Sequence, residues 1–511
     1  MVPAVCPELP DISKYNLLNR TQKRAEIQLF YFFMKGKNMP DQYLHGVEVI
    51  EIDDGARAIK TVKSSVIGLV GTAPQGPVNT PILINGSPTE AVKYFGNHVD
   101  GFTIPRALDQ IFDQTGAMVV VINVADKTNS EQKSDVKQDN VKFDDYGEIV
   151  LDHKIVSDVV VKKADESVTY TETTDYTLDA FNGILTQTGE STIPEKEALM
   201  VSYKYLDTSK IKSSDVVGGA NADGTYRGVN CLLAAQTEVS VQPRILIAPG
   251  FTHDQPDDDG ETLANPVVSE LLGIAERLKA VIIADCPDGS EQDAIKYQKC
   301  FGSARVYSVY PWVKILDEND QIVSFPSSAA VAGLLAKSDN ERGFWWSPSN
   351  TTINGIIGIS KPIDFALGDT SCKANFLNGN KVATIIQEDG FRLWGNRTAS
   401  ADEKWAFLSV RRTADMINDS LQKEHLWAVD RNITKTYVED VCEGVNNYLR
   451  YLKNIGAIID GKCWADASIN TPDQVEQGKV TFDFDFTPPY PAEHITFRSR
   501  MVNDYLEEIF K

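Results

Sequence analysis

The segment from Gly456 to Cys463 has the residue spacing of a phosphate-binding loop. Its two glycines and Lys462 match the first seven positions of the G-x-x-x-x-G-K-[ST] motif, in which backbone N–H groups and a lysine hold phosphate. At the eighth position Cys463 replaces the serine or threonine that would bind magnesium, and the preceding pattern is helical where the motif needs a strand. We therefore predict that Gly456 ends a helix, that a short strand follows it, and that the protein has no nucleotide cofactor.

The histidines and serines give few candidates for catalysis. None of the six histidines lies in an H-E-x-x-H pattern, and no serine has the G-x-S-x-G surroundings of an α/β-hydrolase nucleophile. His253-Asp254 follows an apolar strand pattern, a position where α/β folds often place active sites. The acidic residues around Pro256 favour a solvated loop, and their spacing does not fit the calcium motif D-x-[DN]-x-[DN]-G. An α/β hydrolase that uses His253 stays an alternative, but we expect no enzyme and no metal site.

Two further groups of residues carry possible chemistry. The seven cysteines are scattered and never form a C-x-x-C pair, so we expect reduced thiols, most of them buried, rather than a disulfide framework or a zinc site. Arg411 and Arg412 form a basic pair near the beginning of a predicted helix in an acidic protein. Two explanations stay open: a solvated face or an ion pair inside the subunit, and contact with an acidic partner surface.

The elements that position these residues follow an α/β pattern. Continuous apolar runs, typical of strands covered on both faces, are predicted over 66–70, 118–124, 244–248, 281–284 and 305–309. Helices are predicted between them over 105–114, 226–237, 266–278, 291–300 and 327–337. This alternation indicates a parallel sheet with helices on its faces.

Two regions depart from that pattern. Between residues 126 and 220 apolar residues alternate with period two, and Asn182-Gly183 predicts a hairpin turn, which indicates an inserted all-β domain. After residue 364, two amphipathic helices and the alternating runs 479–486 and 495–501 predict an α+β C-terminal domain. The two alternating runs are expected to lie in one small sheet.

The predicted division of the chain therefore has six parts: 1–38 as a non-native or disordered extension, 39–60 as an N-terminal arm, 61–125 with 221–363 as the α/β domain, 126–220 as the insertion, 364–501 as the C-terminal domain, and 502–511 as a C-terminal arm. For the first part, translation from Met39 and a weakly ordered extension are both open.

Composition and charge exclude several classes of protein. The chain has 511 residues, 42% of them hydrophobic and 24% charged, which is typical of a folded protein with several domains. The formal net charge of −22 opposes a broad phosphate-binding surface, so nucleic acid is not an expected partner. No stretch approaches the ~20 apolar residues that a membrane-spanning helix needs, so we expect no membrane insertion.

Short motifs follow one another from about Gln42 to the end of the chain: YLHGVEVIEI (43–52), VIGLVGTAP (66–74), WGNRT (394–398), VRR (410–412), QGKV (477–480) and PAEHITF (491–497). In this order and spacing they resemble the contractile tail sheath proteins of bacteriophages and of related contractile injection machines. The resemblance implies a structural protein of the virion, with a subtilisin-like α/β middle domain that has no protease role. A sheath from a tailocin or a secretion-type machine is the alternative.

The resemblance also implies how the protein works and with what. Sheath subunits of this family form stacked hexameric rings around a tail tube and contract without ATP, which drives the tube through the host envelope for genome delivery. The implied partners are other copies of the subunit, the tail tube protein, and the baseplate and tail terminator proteins. Assembly is expected in the host cytoplasm.

The terminal arms, which donate strands to neighbouring C-terminal domains in the family, supply the candidate assembly residues. These are Val47, Val49, Ile50 and Ile52 in the N-terminal arm, and Val502, Tyr505, Leu506, Ile509 and Phe510 in the C-terminal arm. A lone strand on a flexible lead cannot bury itself, whereas a small sheet in the C-terminal domain leaves an edge that accepts it. Arg411 and Arg412 are the candidates for contact with the tube. The spacing of the C-terminal apolar residues leaves open whether that arm is a strand or a short helix.

Overall fold

The computed structural model describes residues 59–258, 261–317 and 320–510. The predicted extension 1–38 and residues 39–58 of the predicted N-terminal arm, with Val47, Val49, Ile50 and Ile52, lie outside the described residues.

The described part of the chain begins with an α/β region. Its first elements are β1 (Ile67–Gly71), β2 (Ile82–Asn85), α1 (Pro88–Phe95), α2 (Ile104–Gln114) and β3 (Met118–Asn123). Helix α1 begins at a capping residue: the Ser87 hydroxyl accepts a hydrogen bond from the Glu90 amide at 3.3 Å, and a proline occupies the first position.

Residues 133–206 are built from β-strands. In chain order they are β4 (Lys133–Val141), β5 (Glu148–Val150), β6 (Val156–Lys163), β7 (Thr169–Tyr170), β8 (Tyr176–Asp179), β9 (Ile184–Gln187) and β10 (Leu199–Leu206). They pair antiparallel in two sheets, of order β4-β10-β6-β7 and β5-β9-β8, around an apolar core of their own. The predicted hairpin turn lies between β8 and β9, where Gly183 has a φ of +70° and a Cβ would collide with the His153 carbonyl oxygen.

The α/β pattern then resumes and continues to Trp394. Its elements are α3 (Ser213–Val217), β11 (Gly219–Ala220), β12 (Tyr226–Arg227), α4 (Ala235–Glu238), β13 (Ile245–Ile247), β14 (Asp257–Asp258), β15 (Glu261–Thr262), α5 (Pro266–Leu278), β16 (Val281–Asp285), α6 (Glu291–Lys299), β17 (Val306–Val309), β18 (Val313–Leu316), β19 (Ile322–Phe325), α7 (Ser328–Arg342), β20 (Thr351–Thr352), β21 (Gly358–Ile359), α8 (Lys373–Gly379), β22 (Val382–Gln387) and β23 (Phe391–Trp394). Short 3₁₀ helices throughout the chain span Ser130–Gln132, Thr208–Lys210, Gly228–Leu233, Glu403–Trp405, Leu426–Ala428 and Asp504–Phe510.

A nine-stranded sheet forms the centre, in the order β2-β3-β1-β13-β16-β17-β22-β23-β20. The strands from β3 to β22 are parallel, and the edge strands pair antiparallel with their neighbours: β2 with β3, β23 with β22, and β20 with β23. Successive residues of a strand face opposite layers: Ile245 and Ile247 pack with α2 and α7, and Leu246 packs with α5 and α6. The five predicted strands are confirmed as five neighbours in this sheet.

Four of the five predicted helices are confirmed within a few residues, as α2, α5, α6 and α7. The helix predicted over 226–237 is wrong, because Gly228 has a φ of +59° and the chain forms a 3₁₀ helix and one α-helical turn instead. The predicted boundary at residue 363 also needs correction. Strand β22 extends the parallel sheet and β23 closes its edge, so the α/β region reaches at least Trp394.

The C-terminal region contains two long helices and a strand pair: α9 (Leu408–Glu424), α10 (Lys435–Asn454), β24 (Asp460–Trp464), α11 (Pro472–Glu476) and β25 (Asp483–Thr487). Both predicted helices are confirmed, and they share one apolar core to which β25 contributes Phe484 and Phe486. Gly456, with a φ of +80°, follows α10 and leads into β24, as predicted.

The predicted pairing of 479–486 with 495–501 is wrong. Strand β25 pairs antiparallel with β24 instead. After β25, Pro488, Pro489 and Pro491 remove N–H donors at the point where a hairpin would have to return, and residues 495–501 have no regular secondary structure.

Candidate functional site

The C-terminal segment after β25 leaves its apolar side chains in solvent. Phe497 is 92% exposed, Met501 96% and Tyr505 72%. Val502, Leu506 and Ile509 are exposed as well. Residues 504–510 form a 3₁₀ helix, so the C-terminal arm is a short helix and not a strand in this subunit. The side chain of Phe510 lies outside the description. Apolar side chains of this size are normally buried, and a contiguous exposed set marks an interaction surface.

An ion pair and two aromatic rings fix the start of this segment. The Glu493 carboxylate accepts hydrogen bonds from Arg397, with Nε–Oε2 at 3.0 Å and Nη2–Oε2 at 2.9 Å. The Arg397 guanidinium also lies over the Phe407 ring at 5.0 Å, and the Phe407 ring meets Tyr490 edge-on at 5.9 Å. The motifs 394–398 and 491–497 thus contact each other, which sequence order alone did not indicate.

The strand pair β24-β25 is the nearest candidate to accept an arm. Each of its outer edges lacks a neighbouring strand among the described residues. On the β24 side, the Asn446 side chain donates to the Cys463 carbonyl at 3.0 Å and accepts from the Cys463 amide at 2.8 Å. A helix side chain therefore occupies that edge at its centre, which leaves the outer edge of β25 as the more open one.

Arg412 lies inside the subunit. Its guanidinium forms a two-pronged ion pair with the Asp339 carboxylate, 2.6 Å from Nη1 to Oδ1 and 2.5 Å from Nη2 to Oδ2, and donates to the Ser64 carbonyl at 3.1 Å. The Arg412 residue is 2% exposed. This is the intramolecular ion pair that the sequence left open, and it leaves almost none of Arg412 for contact with a tube.

Arg411 is also paired within the chain. Its Nη2 lies 2.8 Å from Asp415 Oδ1, and its guanidinium stacks 4.5 Å from the centre of the Trp405 ring. Contact between Arg411 or Arg412 and a tail tube stays a prediction.

Two more buried ion pairs attach α9 to the sheet. Asp415 accepts from Arg305 Nη1 at 2.7 Å, and Asp419 binds Arg244. Arg244 and Arg305 stand directly before β13 and β17, so both pairs lie at the amino ends of central strands. Sequence analysis missed these residues. The available signal was a row of charges, at positions 412, 415 and 419, on the same face as the apolar residues of α9.

The region around His253 does not support hydrolase chemistry. The Asp285 carboxylate, fully buried at the end of β16, accepts bonds from the Ser328 amide at 2.7 Å and the Ser328 hydroxyl at 2.5 Å. Burial raises the pKa of Asp285, and the hydrogen bonds from Ser328 oppose that rise. Since Ser328 is fully buried and its hydroxyl donates to a carboxylate, it is not a nucleophile paired with His253.

Neither a metal centre nor a membrane span is found in the part of the chain that the structure describes. Across the described ranges, no cluster of three or more His, Cys, Asp or Glu side chains is arranged to hold a metal ion. No helix in these ranges combines the length and the apolar composition needed to cross a bilayer.

The fold and these sites define the class of protein, a structural subunit that assembles with others. It has a mixed α/β body with internally paired charges, and an apolar C-terminal segment that the body leaves exposed. Family models agree with that class. The phage tail sheath protein central domain matches residues 224–399, the phage tail sheath C-terminal domain matches 400–501, and the tail sheath protein Gp18 domain III N-terminal region matches 64–124. A family described as a protein of unknown function matches 117–215, which covers most of the insertion.

Individual relatives extend the match over nearly the whole chain. The tail sheath protein of Burkholderia phage BcepMu is 35% identical over 484 residues, which is 92% of this chain and 98% of that protein. The tail sheath protein of Escherichia phage P2 is 28% identical over 91% of this chain and 98% of its own length. This chain belongs to the phage tail sheath family, whose members are structural proteins and not enzymes, and it is a component of a virion.

Solved structures show the same fold. The helical sheath of the anti-feeding prophage in its contracted state covers 90% of this chain and 100% of its own, with 18% identity and a TM-score of 0.55. The sheath complex of the extracellular contractile injection system PVC, also contracted, covers 92% and 100%, with 14% identity and a TM-score of 0.55. A chain of the anti-feeding prophage baseplate has a TM-score of 0.53 at 18% identity.

Proposed function

We propose that this subunit polymerises as stacked hexameric rings around a tail tube and contracts without ATP to drive the tube through the host envelope for genome delivery. The observation that carries the proposal is the exposure of the apolar side chains between residues 495 and 509. The subunit itself leaves these side chains 46% to 96% exposed, whereas a neighbour in a lattice would cover them. Helix α10 ends at Asn454, and the P-loop-like residues 456–463 form the turn after it and most of strand β24, which supports contraction without a nucleotide.

The C-terminal segment is proposed to act as an arm that joins neighbouring subunits. Residues 495–501 alternate apolar and polar side chains, the pattern of a strand with one covered face. The outer edge of β25 on a neighbour offers backbone groups to such a strand. The N-terminal arm, 39–60, is proposed to act in the same way through Val47, Val49, Ile50 and Ile52.

The remaining features follow from the family resemblance. We propose a subtilisin-like α/β domain that extends past the predicted boundary, the inserted β domain at 126–220, and an α+β C-terminal domain. The proposed partners are the tail tube protein, which contacts the C-terminal domain, and the baseplate and tail terminator proteins. The likeness to a chain from a baseplate structure supports the proposal that baseplate proteins are partners. Assembly is proposed to take place in the host cytoplasm.

Truncation after Met501 tests the arm. It removes Val502, Tyr505, Leu506, Ile509 and Phe510, apolar side chains that would each contribute about 1.5–3 kcal/mol if a neighbour buried them fully. We expect a soluble, folded subunit that forms no long polymers in sedimentation and electron microscopy. The full-length variant Tyr505→Asp should show the same defect, while Tyr146→Asp, at an insertion side chain that is 90% exposed, should polymerise normally.

Two outcomes would contradict the arm model. Long polymers of normal yield from the truncated chain would show that the C-terminal segment is not needed to join subunits. An unfolded truncated chain would show that the removed residues stabilise their own subunit, in conflict with their exposure.

A further inference from the structure

Two free thiols pack at the same apolar core in the C-terminal region. Cys442 lies in α10 and Cys463 in β24, and neither forms a disulfide. Cys463 is 3% exposed and belongs to the apolar core between the two helices and the strand pair. Cys442 packs against the same core and keeps part of its surface in solvent.

Two hydrogen bonds between a helix side chain and the strand backbone hold α10 and β24 in register. Asn446, one helical turn after Cys442, binds both the amide and the carbonyl of Cys463 through its side chain, at 2.8 and 3.0 Å. Residues four apart lie on the same face of a helix, so the face that carries Asn446 presents Cys442 to the same strand. Cys442 and Cys463 thus contribute to one apolar core, Cys442 from α10 and Cys463 from β24.

We propose that Cys442 and Cys463 are a redox-sensitive pair that closes to a disulfide when the protein meets a low-molecular-weight disulfide such as oxidised glutathione. The proposal does not depend on the arm model, because both cysteines belong to one subunit. Thiols stay reduced in a reducing cytosol and oxidise outside cells, where a released virion is found.

The reaction balances as two thiol–disulfide exchanges. The thiolate of Cys442 attacks one sulfur of the small disulfide, forms a mixed disulfide and releases one small thiolate, which takes up the proton that Cys442 has lost. Cys463 then attacks the Cys442 sulfur, the second small thiol leaves with the Cys463 proton, and the protein is oxidised by two electrons while the small disulfide is reduced by two.

The order of attack follows from exposure. Cys442 is the accessible thiol, and Cys463 is covered by the core, where burial raises its pKa to about 12. Burial raises the pKa of Cys442 too, although the neighbouring Cys463 side chain opposes that rise. Both thiols are therefore poor nucleophiles at neutral pH. The exchange should be slow at neutral pH and faster at alkaline pH, where more of each thiol is ionised.

Closure would connect α10 covalently to β24. The outer edge of β25 lies on the other side of the strand pair, so the cross-link leaves that edge open. The oxidised subunit should resist unfolding better, because the link lowers the conformational entropy of the unfolded chain between residues 442 and 463.

Peptide mapping of the full-length protein after treatment with oxidised glutathione tests the pair. We expect a linked peptide that contains Cys442 and Cys463 and is lighter by two hydrogen atoms than its parts. We also expect a higher denaturant midpoint that returns to its starting value on addition of a reductant. Cys442→Ser should abolish both effects, and Cys300→Ser, at a partly exposed thiol in the α/β region, should keep both.

Two results would overturn the proposal. One is oxidised protein that carries glutathione on Cys442 without any linked peptide, and the other is a cross-link between two subunits on a non-reducing gel. Thiol titration of the unaltered protein decides the matter even if Cys442→Ser fails to fold, because an internal disulfide removes two thiols with no change in mass on that gel.

Discussion

Replacement of Arg412 by methionine should destabilise the subunit strongly. The side chains of Arg412 and Asp339 are 2% and 1% exposed, so methionine would leave a buried carboxylate without its positive partner. Removal of one member of a buried ion pair costs about 3–5 kcal/mol, whereas replacement of both by uncharged side chains of similar volume is often close to neutral. Arg412→Met should therefore lose about 3–5 kcal/mol of the free energy of unfolding, and the double variant with Asp339→Asn should regain most of it.

Urea denaturation followed by circular dichroism measures the effect, at protein concentrations where the subunit is monomeric. Lys435→Met is the matched control, because Lys435 and its partner Glu439 have side chains 89% and 63% exposed on α10. Loss of that pair should change the free energy of unfolding by about 0.5 kcal/mol or less. If Arg412→Met is as stable as the control but no longer assembles on tubes, the ion-pair reasoning is refuted and Arg412 acts at the tube.

Two further predictions concern the insertion. Deletion of Thr128 to Ser214 with a short Gly/Ser linker should leave a folded protein in circular dichroism, since Asn129 and Ser214 line one small cavity and so lie close together. The deleted chain should unfold at lower urea concentration, because Ile155, Leu206 and Ile211 pack into the core beside the central sheet, and aggregation without a folded fraction would contradict the prediction. Hydrogen bonds from Thr171 and Thr192 lower the pKa of Asp175 in the folded state. The ionised Asp175 therefore stabilises the folded protein above the pKa of the unfolded chain, which is about 4. This stabilisation is lost as the pH falls through the lower pKa of the folded state. Asp175→Asn should reduce this acid sensitivity in unfolding measured from pH 3 to about 7, and an unchanged pH profile would contradict the assignment.

Much of the body could be predicted from sequence because its strands are buried on both faces. Such strands are continuous apolar runs, and all five predicted runs became neighbours in the central sheet. Strand β22 is a similar apolar run over Val382–Gln387, although the predicted division at residue 363 places it in the C-terminal domain.

The candidate site was less predictable, since its interactions join distant parts of the chain. Alternation in 495–501 indicates a strand with one covered face but does not say whether the cover belongs to the same chain. A basic pair gives no information about its partner, and Asp339 precedes Arg412 by 73 residues. The spacing of charges on α9 could suggest buried pairs, but the choice of Arg244 and Arg305 as partners depends on the fold.

The ion pairs of α9 determine which part of the subunit separates first when force is applied to the C-terminal segment. Tension on the C-terminal segment reaches the body at Glu493 and Tyr490, through Arg397 and Phe407, and Phe407 is the residue that precedes α9. From there the buried pairs of α9 carry the force into the amino ends of the central strands. The pair at Arg397 is partly solvated, with side chains 32% and 30% exposed, whereas the pairs beneath it are dry. Under load, the C-terminal segment should therefore detach from Arg397 before α9 separates from the sheet. The body should then move as a rigid unit, and only the last twenty or so residues should extend.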